Sequence, residues 1–218
     1  HVSFQFGARV DHTTFTPDGL ADRSFTNLSG SLGLLMRPTD QTTIALNAAL
    51  AARNPALEEL YFEGPHAGNN AFEVGDATLE SERATGFDVS IRHQSGRLAG
   101  EVAYFYNDVR NFIFRRLTGD IEDDLAVAEF AQGDAVLQGV EAHLDLRLSE
   151  FWSVEGGFDY VKGDLNTLGV PLPRIPPMRG RFGLRFQKNA FQAGLDATLV
   201  GTQDRVFTTP LGGGDLNE

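Results

Sequence analysis

The stretch from Val140 to Leu148, VEAHLDLRL, constrains the fold more than any other feature of the chain. Val140, Ala142, Leu144, Leu146 and Leu148 alternate without a fault with Glu141, His143, Asp145 and Arg147. A period of two sends the two sets to opposite faces of a β-strand, whereas a helical period would scatter both around the axis. Two architectures use such a strand. A soluble sheet packs the apolar face on a core, and a membrane barrel puts it in lipid with the charges in a wet lumen.

The alternation recurs in nine runs, approximately residues 2–11, 24–37, 42–52, 83–94, 98–115, 135–149, 153–162, 178–187 and 191–201. Most exceed the five or six residues of an ordinary soluble strand. The connections are sorted: short at 38–41, 95–97, 150–152 and 188–190, long at 13–23, 53–82, 117–134 and 163–177. Short turns at one end and long loops at the other mark an outer-membrane barrel. The expected fold is therefore all-β, with antiparallel up-and-down strands in sequential hairpins and little helix.

Aromatic and charged residues fit this choice. Phe151 and Trp152 sit at a short turn, Tyr160 lies near the far end of the next strand, and Tyr104, Phe105 and Tyr106 lie along the strand that starts at Leu98. Rings at strand ends suit the interfacial girdles of a barrel. The pleat predicts that Val140, Leu144, Leu146 and Leu148 share a lipid-side face with Phe182, Leu184 and Phe186, while Glu141 and Arg181 lie on the lumen side.

Composition narrows the function. The formal net charge is −12, which repels nucleic-acid phosphates and favours cations or basic partners. The chain has no cysteine, so a metal has only His and carboxylate to hold it.

The segment RNPALEELYFEGPHAGNNAFEVGDATLESE, residues 53–82, resembles the TonB-dependent outer-membrane receptors. Arg53, Pro55, Glu59, Leu60 and Tyr61 match a first family segment, and Phe72, Glu73, Gly75, Asp76, Leu79 and Glu82 a second. The hairpin GFDVSIRHQSGRLAGEVAYFYNDVRNFIF and the later GVEAHLDLRLSEFWSVEGGFDYVKG also resemble family hairpins. The resemblance implies a partial segment, 1–218, of a barrel of about twenty-two strands. The plug domain and closing strands are expected elsewhere, and the segment is expected to stop in the loop TTPLGGGDLNE. It further implies a Gram-negative outer membrane and energised uptake of a scarce nutrient through the TonB complex, which the plug would contact. Partners would be outer-membrane lipid and a metal ion or chelate, with no nucleic acid and no required cofactor.

Gly64-Pro65-His66 ahead of the Phe72-Glu73 segment looks most like the zinc-acquiring branch, and VGDATLESE argues against haem. His66 has Glu63 three residues before it and Glu73 and Asp76 after it, donors able to complete a zinc site. The substrate set is therefore Glu63, His66 and Glu73, with His66 as metal ligand beside Glu63 or Glu73, incomplete without the plug. The alternative is a solvated polar loop. Asp120, Glu122, Asp123, Asp124 and Glu129 crowd another expected loop, where a solvated charge run is the favoured account. Gly212 to Gly214 read as a loop and not a phosphate cradle, and no nucleophile elbow or calcium loop occurs, so the protein is expected not to be an enzyme. A haem or siderophore receptor and a passive porin remain the competing functions; a porin leaves the loop signature unexplained.

Overall fold

A computed structural model describes residues 1–208. The glycine triplet Gly212 to Gly214 lies outside the described residues.

Nine long strands form one antiparallel meander. They are β1 (Val2–Phe15), β2 (Arg23–Thr39), β3 (Thr42–Arg53), β6 (Glu82–Gln94), β7 (Leu98–Glu122), β8 (Leu125–Arg147), β9 (Trp152–Leu165), β11 (Arg179–Lys188) and β12 (Phe191–Val200), neighbours in that order. Between β3 and β6 the chain makes a short helix α1 (Leu57–Tyr61) and strands β4 (Glu63–His66) and β5 (Ala71–Val74); β10 (Val170–Pro171) pairs with β9.

The register sorts the side chains as expected. Leu144 faces Gly156, which faces Phe182; Leu146 faces Val154, which faces Leu184. On the other face Glu141 lies opposite Asp159, which lies opposite Arg179, and His143 opposite Gly157, which lies opposite Arg181. One face of the sheet is thus apolar and uncovered: Phe4 and Phe6 are 71% and 88% exposed, and Leu195 and Leu199 64% and 75%. So much bare apolar surface is unstable in water and natural in lipid. The other face carries ion pairs between strands: Arg92 with Glu101 at 2.6 Å, Arg179 with Asp159 at 3.0 Å, and Arg185 with Glu155 at 3.0 Å and Asp196 at 2.6 Å. Such pairs belong on a wet lumen wall.

Two expectations are corrected. Residues 117–134 are not a loop: β7 and β8 continue as a ladder to a two-residue turn at Asp123 and Asp124, whose φ values are 50° and 61°. Asp tolerates this left-handed backbone, and two such residues make the hairpin turn that matches strand twist. The acidic run is therefore a hairpin tip, projecting by about a dozen residues per strand, roughly 40 Å. Phe105 also leaves the girdle. It lies on the polar face opposite Gly139, where an added Cβ would meet its ring at 2.5 Å, while Tyr104 and Tyr106 stay on the apolar face.

A bulge between Val109 and Phe112, with Asn111 at φ 55°, re-aims the β7–β8 hairpin above the rim. Loop residues then pack on both sides of it. Leu60, Leu79 and Phe25 gather around Ile113, and Leu165, Leu172 and Phe207 around Phe114 and Ala135. The buried core therefore sits at the loop end, not within the sheet.

Candidate functional site

The segment 53–82 is locked onto this rim by the residues that carry its family pattern. The Arg53 guanidinium donates to both Glu82 oxygens at 2.7 and 2.9 Å and to Glu59 at 3.0 Å. Glu59 also accepts from the backbone N–H of Ala56 at 2.7 Å, closing α1, and Glu82 accepts the N–H of Ile113 that the bulge frees, at 2.7 Å. The hydrogen bond to Glu82, then that to Glu59, holds the Arg53 pKa above its ordinary value against burial; Arg53 sits at the strand end, beyond the apolar band. Leu60 is fully buried, and the Tyr61 hydroxyl donates to the Ala21 carbonyl at 2.7 Å. Gly75 passes so close to α1 that a Cβ would lie 2.7 Å from the Tyr61 nitrogen. Asp76 accepts from the Thr78 N–H at 2.7 Å. The pattern is thus an architectural lock.

What the lock presents is the β4–β5 hairpin. β5 runs parallel to β8, with Ala71 opposite Ala126 and Val74 opposite Glu129. This parallel pairing departs from the expected all-antiparallel order; it adds the short β5 to the upper part of β8, while the nine long strands pair with one another antiparallel. It also brings residues far apart in sequence together. His66 pairs with Ala71, Ala71 with Ala126, and Ala126 with Ile121, so His66 stands level with the acidic tip.

Of the expected site residues, His66 and Glu73 share one face of the β4–β5 hairpin, and Glu63 lies on the other. His66 and Glu63 are exposed; Glu73 is buried and forms an ion pair with Arg115. Asn69 joins the first two. Its side-chain N–H groups reach Glu73 at 2.7 Å and His66 Nδ1 at 3.1 Å, while its oxygen accepts from Arg174 at 3.2 Å. Because an amide nitrogen can only donate, His66 Nδ1 is the acceptor in this contact, which selects the tautomer with its proton on Nε2. Phe62 packs edge-on against the ring at 6.2 Å. Sequence spacing does not single out Arg115 and Arg174, whose partners Glu73 and Asn69 lie 42 and 105 residues away; Asn69 is three and four residues from His66 and Glu73, and nothing in its residue type marks it within a polar loop.

Among the described residues no three His, Cys, Asp or Glu side chains converge on one point suited to a metal. Glu129 is engaged by Arg116, while Asp120, Glu122, Asp123 and Asp124 at the tip are exposed. His12, His93 and His143 bond Thr26, Thr42 and Asp145.

Long antiparallel strands with one bare apolar face, a charged opposite face and all large loops at one end define a segment of a transmembrane β-barrel of the outer-membrane type. The chain belongs to the TonB-dependent receptor family: the family described as "TonB dependent receptor-like, beta-barrel" matches residues 1–215. Its fold is similar to that of the copper transporter OprC, at 20% identity and a TM-score of 0.84 over 99% of this chain and 34% of that one. It also resembles the FrpB iron transporter of Neisseria meningitidis, at 18% identity and a TM-score of 0.69 over 91% of this chain and 30% of that one. The siderophore receptor PirA of Pseudomonas aeruginosa matches at 19% identity and a TM-score of 0.69, over 92% and 37%. In sequence, 115 residues are 25% identical to transferrin-binding protein A of Haemophilus influenzae, 52% of this chain and 12% of that protein. The chain thus spans about a third of these solved structures and an eighth of that relative. Two of these names are those of metal transporters, for copper and for iron, the others those of a siderophore receptor and a transferrin-binding protein, and none singles out the zinc-acquiring branch.

Proposed function

We propose that this chain forms part of the barrel of an outer-membrane receptor that takes up a scarce metal, as ion or small chelate, in a cycle energised through the TonB complex. Zinc is the first candidate cargo. The observation that carries this reading is the β5–β8 pairing, which sets His66 level with an exposed acidic tip at the loop end. The tip attracts cations by its field, and the imidazole selects among them, favouring zinc or copper over the hard ions that prefer oxygen alone. The acidic balance of the chain acts in the same direction. The copper and iron named for similar proteins support metal cargo as the class.

The Asn69 contact defines how capture proceeds. A metal at His66 Nδ1 displaces the Asn69 amide, and one at Nε2 requires the ring to shift its proton to Nδ1, against that same amide. Either way binding breaks a hydrogen bond, which keeps affinity moderate and release easy. Glu63 or Glu73 supplies an oxygen; Glu73 shares the face of His66 and must first leave Arg115. Residues of the plug complete the site.

Zinc titration of the full-length receptor by calorimetry tests this. His66→Ala is expected to weaken binding at least tenfold and to impair growth under zinc starvation. Unchanged affinity and growth make His66 an ordinary loop residue and return the cargo to an iron complex, haem or another nutrient.

A further inference from the structure

The apolar wall carries one arrangement that metal uptake does not use. Arg83 on β6 and Arg110 on β7 lie directly opposite each other across the ladder, both exposed. Like charges in this position repel, and a sheet gains nothing from them alone. Among the described residues neither has an ion-pair or hydrogen-bond partner. Two nearby carboxylates form no ion pair with them: Asp108, two pairs below and opposite Thr85, and Asp134, whose carboxylate takes the Asn111 N–H at 3.4 Å. Elsewhere on the same wall Lys162 and Arg205 share Asp164.

Their height on the wall matters as much. Four residues below Arg83 along β6, Phe87 stacks on Tyr106 at 5.5 Å and touches Tyr104 at 5.9 Å. Such rings mark the level where acyl chains meet headgroups. Four residues of a tilted strand raise the arginines roughly 10 Å above the rings, into the headgroup layer on the loop side. A groove descends from them along the wall, lined by Leu28, Leu50, Thr85, Phe87 and Tyr106. Its volume of about 940 Å³ is ample for an acyl chain.

We propose that Arg83 and Arg110 form a binding site on the outer wall for the phosphate of an outer-leaflet glycolipid, with an acyl chain in the groove below. A bridging phosphate turns the repulsion into two forked hydrogen-bonded contacts, a geometry that guanidinium supplies and ammonium does not. The site rests on the membrane-barrel assignment and is independent of the cargo, so failure here leaves the zinc experiment untouched.

The test uses full-length receptor stripped of lipid in detergent, with native mass spectrometry reading bound bisphosphorylated lipid A against its dephosphorylated analogue. Wild type is expected to retain the phosphorylated lipid at least tenfold better. Arg83→Gln with Arg110→Gln abolishes that preference, and Arg83→Lys with Arg110→Lys keeps part of it. Folded-barrel mobility on an unheated gel shows that each variant is intact; if the glutamine pair does not fold, the lysine pair and the dephosphorylated lipid decide. Equal retention of both lipids by wild type overturns the proposal, as does an unaltered preference in the glutamine pair. So does displacement of lipid by millimolar inorganic phosphate, which marks a free-anion site.

Discussion

Replacing Glu73 by alanine is expected to release the β4–β5 hairpin from the rim at a cost of about 3–5 kcal/mol, the penalty for leaving one partner of a buried ion pair uncompensated. The side chains of Glu73 and Arg115 are only 5% and 15% exposed, so water screens the pair weakly. Glu73 also anchors Asn69, which holds His66, so its loss propagates to the candidate ligand. The readout is amide hydrogen exchange of the full-length receptor over residues 71–74, where protection is expected to fall by about two to three and a half orders of magnitude, at 1.4 kcal/mol per tenfold. Adding Arg115→Met removes the stranded charge and is expected to restore most of the protection. Unchanged exchange in Glu73→Ala means that the ion pair does not hold the hairpin.

Leu144→Arg is expected to destabilise the barrel by about 2–4 kcal/mol, the cost of a cation facing lipid near the midplane. Leu144 lies four residues up β8's partner strand from the Trp152 level, opposite Gly156 and in line with Phe182. Its neighbour His143 points to the charged face, in line with Glu101 and Arg181. His143→Arg is therefore expected to change stability by no more than about 0.5 kcal/mol. Urea-dependent refolding of the full-length receptor into vesicles measures both. Equal costs at the two adjacent positions are incompatible with a two-faced wall.

The nine long strands were legible because their period is a local property that each run displays by itself. Register followed from the same pattern, as Leu144 and Phe182 show. The upper half of the β7–β8 hairpin was not legible, because the bulge at Asn111 breaks the period and the acidic run Asp120 to Asp124 has the composition of a loop. Phe105 departs from the expected girdle because the pleat must send it to the face opposite its neighbours Tyr104 and Tyr106. The family pattern around Arg53, Glu59 and Glu82 was legible as a pattern, but its task was not. Arg53 and Glu82 are 29 residues apart, and Glu73 and Arg115 42 apart, so nothing in local spacing connects them. The parallel β5–β8 contact is of the same kind. It alone brings His66 to the acidic tip, and no property of either segment announces it.

The central claim is that one face of this sheet meets lipid and the other water, the inverse of the globular arrangement. Single-cysteine labelling of residues 140–147 tests it most directly, and residues 1–218 contribute no cysteine of their own to the background. In the full-length receptor, embedded in outer membranes and treated with a small charged maleimide, cysteines at 141, 143, 145 and 147 are expected to react. Those at 140, 142, 144 and 146 are expected to stay unlabelled until detergent is added. Reaction at every position, or the opposite alternation, contradicts the account.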